Sequence, residues 1–69
     1  MVEIFKTNVE DTSQAEKIIG LINQQYPCFA VNFDLQDCDK ILRVKGDLIP
    51  ISEIEQLVSA IGFYCTVLN

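Results

Sequence analysis

Two segments of this 69-residue chain open on Ser-x-x-Glu and continue with apolar residues at helical spacing, and short alternating runs lie before, between and after them. That interleaving constrains the fold more than any other feature of the sequence. In Ser13-Gln14-Ala15-Glu16 the hydroxyl and carboxylate have the spacing of a capping box, with Asp11 adding favourable charge at the helix start. Ala15, Ile18, Ile19, Ile22 and Tyr26 then recur on one face until Pro27 stops the run. Ser52-Glu53-Ile54-Glu55 repeats the pattern after Pro50, with Ile54, Leu57, Val58 and Ile61 as the stripe and Gly62 as the C-cap.

The remaining runs read as strands. Val2 to Thr7 is β-branched and aromatic, and because Ile4 and Phe5 are neighbours its buried face is ambiguous; Val2 and Ile4 are assigned inward. From Cys28 to Leu35, Phe29, Val31, Phe33 and Leu35 alternate with smaller or polar residues. Gln36-Asp37-Cys38-Asp39 is turn-like, and Leu42 and Val44 alternate with Arg43 and Lys45 before Gly46-Asp47 ends the hairpin. Phe63 to Leu68 is the last strand. The order β-α-β-β-α-β closes most economically as an α+β, ferredoxin-like sandwich. It has a four-stranded antiparallel sheet in the order 4-1-3-2, both helices on one face, and a single domain over residues 1–69.

Composition narrows the function. Ten acidic against five basic residues give a net charge of −5, so nucleic acid and anionic membrane surfaces are expected to be repelled and a protein partner to be basic or neutral. There is no histidine, the commonest general base and transition-metal ligand. The only arginine, Arg43, falls on a strand rather than in a first loop where it could bind phosphate. No enzymatic activity and no cofactor are expected. The start Met-Val-Glu-Ile-Phe-Lys lacks the basic and apolar regions of a signal peptide, and the three widely spaced cysteines suit reduced thiols, so a cytoplasmic location is expected.

The topology brings three connections to one end of the sheet: the loop Asn8 to Ser13, the turn Gln36 to Asp39 and the Gly62-Phe63 corner. Pro27-Cys28 and the Gly46 to Ile51 connection lie at the other. Cys28, Cys38 and Cys65 are therefore too dispersed to share one metal; Cys28 and Cys65 read as small buried positions and Cys38 as an exposed thiol. Glu10, Asp11, Asp34, Asp37 and Asp39 make the convergent end acidic. Aspartate favours turns for local hydrogen-bonding reasons, and a docking face ranks above a hard-cation site because no calcium-loop spacing is present.

Several segments give the chain a resemblance to the heavy-metal-associated domains of copper chaperones and P-type metal ATPases over nearly its whole length. Tyr26-Pro27-Cys28 stands where that family often has Pro-Gly-Val. Val31-Asn32-Phe33-Asp34-Leu35 is similar to its Val-x-Val-Asp-Leu strand, and Leu42-Arg43-Val44-Lys45-Gly46-Asp47 to its Val-x-Val-x-Gly-Asp strand. Glu53 to Phe63 is similar to its second helix and closing Gly-Phe. The resemblance implies a Gly-Met-x-Cys-x-x-Cys motif holding Cu(I) at the first loop. Aligned without gaps, Asn8 stands for the glycine, Val9 for the methionine, and Asp11 and Gln14 for the two cysteines. A carboxylate and an amide are hard oxygen donors with poor affinity for Cu(I), so the metal site is lost at these positions.

The expectation is a degenerate metal-carrier domain acting as a protein-interaction module, monomeric or weakly dimeric. Its candidate face comprises Val9, Glu10, Asp11, Asp37, Cys38, Asp39 and Phe63. One alternative is metal binding by non-standard ligands: Cys38 with carboxylates, or cysteines from two protomers. The other is an ACT-like small-ligand regulatory domain, a fold type that shares the strand order but usually has a glycine-rich turn after the first strand, which this loop lacks.

Overall fold

Phe5 decides which face of the sheet becomes the core. In the computed structural model, which describes residues 1–68, its side chain is fully buried while Val2 is 48% exposed, the reverse of the face expected for the first strand. Phe5 lies opposite Leu42 on one neighbouring strand and Val67 on the other, whereas Ile4 lies opposite Arg43 and Leu68. The larger aromatic surface is thus matched with apolar partners on both sides, and burying that row removes more apolar area from water than burying the row of Ile4.

The elements run β1 (Val2–Thr7), α1 (Thr12–Gln25), β2 (Ala30–Asp34), β3 (Ile41–Lys45), α2 (Ile51–Ala60) and β4 (Cys65–Leu68). All strand pairs are antiparallel, in the order β2-β3-β1-β4, which reads 4-1-3-2 from the β4 edge. Phe5, Leu42 and Val44 from the sheet join Ala15, Ile18 and Ile22 of α1 and Ile54 and Val58 of α2 in one buried cluster. Of the expected α1 stripe, Ile19 and Tyr26 are only partly covered. The second strand is shorter than Cys28 to Leu35, and the last begins at Cys65 rather than Phe63. Among the described residues, no helix is long and apolar enough to cross a membrane.

The helix ends differ from the capping boxes read at Ser13 and Ser52. α2 starts at Ile51 with Pro50 as N-cap and no side-chain cap, so Ser52 already lies inside the helix. Proline presets the turn into the helix, and Glu53 supplies negative charge in its first turn. Glu55 turns away from the helix start, and its carboxylate accepts a 2.9 Å hydrogen bond from the Val67 N–H on β4. At the C-terminus the expected glycine is found. Gly62 has φ +95°, its N–H donates to Ser59 O (3.0 Å) and the Phe63 N–H donates to Val58 O (3.4 Å). This is a Schellman closure that sets Phe63 against the core beside Val58.

The end of the sheet away from the acidic loops is closed by aromatics. Tyr26 stacks on Phe29 with centroids 5.0 Å apart, and the Tyr26 hydroxyl donates to Glu53 Oε2 at 2.6 Å. Phe29 in turn rests directly over Gly46.

Candidate functional site at the acidic end

Thr7 is the knot of this end. It follows Phe5 by two residues, so it shares the buried face, yet it is polar and only 4% exposed. Its hydroxyl must find partners inside the protein: it donates to Lys40 O at 2.5 Å and accepts from the Val9 N–H at 3.2 Å. The Thr7 N–H also donates to Asp39 O (3.0 Å). One side chain thereby couples the β1–α1 loop to the turn between β2 and β3, where Lys40 adopts φ +46°. Asn8 makes the second tie, its side-chain oxygen accepting from the Tyr64 N–H at 2.8 Å and joining the same loop to the corner before β4. All three connections meet at this end.

Asp11 and Gln14, the positions the resemblance gives to thiolates, have a structural role. Asp11 is the N-cap of α1, with extended backbone (φ −130°, ψ 163°) and a carboxylate that accepts from the Gln14 N–H at 2.8 Å. The Gln14 amide oxygen reaches back to accept from the Glu10 N–H at 3.2 Å. The pair forms a reciprocal cap two residues earlier than Ser13-x-x-Glu16, because an aspartate followed three residues on by glutamine satisfies the orphan N–H groups at least as well as the serine pair. These oxygens are engaged with backbone donors and are hard, a donor set unsuited to Cu(I).

The expected interaction face is only partly a surface. Val9 is fully buried in the core and offers nothing to a partner; its apolar side chain anchors the loop. Phe63 is half-buried and packs on the same core. Glu10, Asp11, Asp37 and Cys38 are exposed, and Asp39 is partly covered. Within the turn, Asp34 Oδ1 accepts from the Gln36 N–H (3.2 Å) and Asp37 Oδ1 from the Asp39 N–H (2.8 Å), the local bonds for which turns select aspartate.

Two lysines that sequence reading passed over moderate the charge. Lys6 Nζ lies 3.6 Å from Asp39, and Lys40 Nζ lies 4.0 Å from Glu10 while donating to Leu35 O at 3.0 Å. Exposed pairs of this kind contribute roughly 0.2–1 kcal/mol each. Their signal was parity: with Phe5 inward, Lys6 falls on the open face, beside Thr66.

The thiols do not converge. Cys28 precedes the β2 edge and Cys65 begins β4 at the opposite edge. Contrary to expectation Cys28 is exposed, because the strand begins only at Ala30 and leaves it in the connecting turn; Cys38 is exposed and Cys65 half-buried. Among the described residues, one group could gather a cation: Asp37, Cys38 and Asp39, whose ligand atoms lie within 4.8 Å of one another. No family model, curated protein or solved structure matches the chain.

Two outcomes test this geometry. Thr7→Val keeps the shape but leaves the Val9 N–H and Lys40 O without their partner, and is expected to cost about 1–3 kcal/mol, while Thr7→Ser stays near wild type. Urea denaturation reads both, and equal midpoints for Val and wild type would remove Thr7 from its role. The Cys65 thiol is pushed up to about 12 by burial and then by the Glu55 carboxylate. The unfolded chain releases that proton near roughly pH 8.5, so stability from the protonated thiol is complete below that pH and is lost as pH rises toward about 12. In native iodoacetamide labelling at pH 8, Cys28 and Cys38 should react first and Cys65 slower by at least about tenfold; mass spectrometry of the digest reports the order.

Proposed function

We propose that this chain is a ferredoxin-like domain of the heavy-metal-carrier type that has given up soft-metal binding and works as a non-enzymatic protein-interaction module, docking basic partners on its acidic end. The observation that carries this reading is the use of Asp11 and Gln14 as a helix cap. The loop's geometry is maintained by oxygen and amide chemistry, so it persists without a bound ion. Around it Glu10, Asp37 and Cys38 remain exposed, on a scaffold fastened by Thr7 and Asn8. Charge complementarity here sets encounter rate and partner choice more than affinity.

Titrating ¹⁵N-labelled protein with a capped oligolysine tests the docking face. Amide shifts are expected to centre on Glu10, Asp37 and Asp39, to shrink with salt, and to fall by more than half in Asp37→Ser/Asp39→Ser, in which serine can retain the turn. Unchanged binding by that variant would refute the assignment.

The proximity of Asp37, Cys38 and Asp39 favours a second reading, a weak cation site built on one thiolate and two carboxylates. Against it, Asp39 faces Lys6, and Asp37 already accepts the Asp39 N–H. Zn²⁺ titration separates the two: sub-micromolar binding abolished by Cys38→Ser would promote the metal site over docking.

A further inference from the structure

The two edges of the sheet are finished differently. On β4 the outward Val67 N–H is occupied by the Glu55 carboxylate. The β2 edge has no equivalent cover, and the register shows which groups it presents. The Gly46 N–H donates to Met1 O at 3.0 Å, one step beyond the Val2–Lys45 pair. Antiparallel ladders alternate bonded and non-bonded pairs, so Val44 and Leu42 direct their backbone groups to β1, and Arg43 and Lys45 direct theirs to β2. On β2 the partners Ala30, Asn32 and Asp34 therefore face β3. Val31 and Phe33 turn their N–H and C=O groups outward, and no hydrogen bond to the side chain or backbone of a described residue outside the ladder meets them.

Beside this edge runs a groove of about 540 Å³ between β2 and α1. Its floor is apolar, from Ala15, Ile19, Phe33 and Leu35, while Glu16 and Asp34 flank it with exposed carboxylates. We infer that the β2 edge and this groove receive an extended segment of a partner protein, alternating apolar and basic residues, as a fifth strand. Backbone pairing with Val31 and Phe33 supplies register, alternate apolar side chains enter the groove on the α1 side, and the intervening cations fall on the opposite face of the sheet beside Asp34. A second copy of this chain is the poorer occupant, since each copy carries a net charge of −5 and would set its own acids against that carboxylate. The inference rests on the proposed preference for basic partners and adds the mode of binding.

The probe is a capped seven-residue peptide alternating lysine with valine, titrated into ¹⁵N-labelled full chain. The largest shifts and a slowing of amide exchange are expected at Val31 and Phe33. Asp34→Asn should weaken binding about threefold while leaving the fold of the free protein unchanged, since asparagine retains the acceptor for the Gln36 N–H. N-methylating the peptide at alternate residues should abolish binding in one phase and spare it in the other. Absence of binding, or equal tolerance of both phases with no protection at Val31 and Phe33, overturns the inference. Shifts confined to Asp37 and Asp39 would overturn strand addition while leaving the basic-partner reading intact. Equal binding of a threonine–valine peptide at Val31 and Phe33 would overturn the charge requirement, and with it that reading.

Discussion

Phe5→Ala is expected to leave the domain largely unfolded. Truncating a fully buried phenylalanine costs about 3–5 kcal/mol, and a single core in a chain this short supplies little more than that. The neighbouring change Ile4→Ala, on the partly open face, should cost roughly 1–2 kcal/mol. Circular dichroism through a urea titration reads both. If Ile4→Ala proved the more damaging, β1 would be turned over, and Thr7 could no longer reach the β2–β3 turn from inside. The comparison therefore tests the register on which the acidic end depends.

Gly46→Ala should be the next most damaging, at about 1–3 kcal/mol, for a reason confined to the far end of the sheet. A Cβ built on Gly46 would stand 2.4 Å from Phe29 Cδ1 and 2.8 Å from Cε1, so the ring would have to move. It is not free to do so, because it is stacked on Tyr26 at 5.0 Å. For a domain of this size each kcal/mol lowers Tm by roughly 4–8 °C. Phe29→Ala combined with Gly46→Ala should cost less than the sum of the two changes, since the obstructing ring is gone. Strict additivity would mean that Gly46 is chosen for something other than the approach of Phe29.

Element order, hairpin position and the Gly62 closure were legible in the sequence because each rests on local chemistry: a period of two or 3.6, a turn cluster, a glycine with φ +95°. The face of β1 was not, since adjacent Ile4 and Phe5 satisfy either parity locally and only the cross-strand partners Leu42 and Val67 decide it. Both N-caps lie two residues before the expected serines for a similar reason. Several residues near Ser13 can cap, and the geometry chose Asp11 with Gln14; Pro50 displaced Ser52 at the second helix. Convergence of the three connections followed from topology, but the ties that hold them, Thr7 to Lys40 and Asn8 to Tyr64, span 33 and 56 residues and leave no local trace. Val9 looked like loop surface and is core.

Cysteines placed at Asp11 and Gln14 would remove a charged cap and its reciprocal amide, so the helix start would lose stability.

The proposed function requires that the first loop, held by oxygen and amide donors, has no strong affinity for a soft metal ion. Anaerobic Cu(I) titration of the reduced protein against a colorimetric chelator measures it directly. The chelator is expected to retain its copper, with amide positions at Asp11, Gln14 and Phe63 unmoved; withdrawal of stoichiometric Cu(I) with shifts at those residues would contradict it.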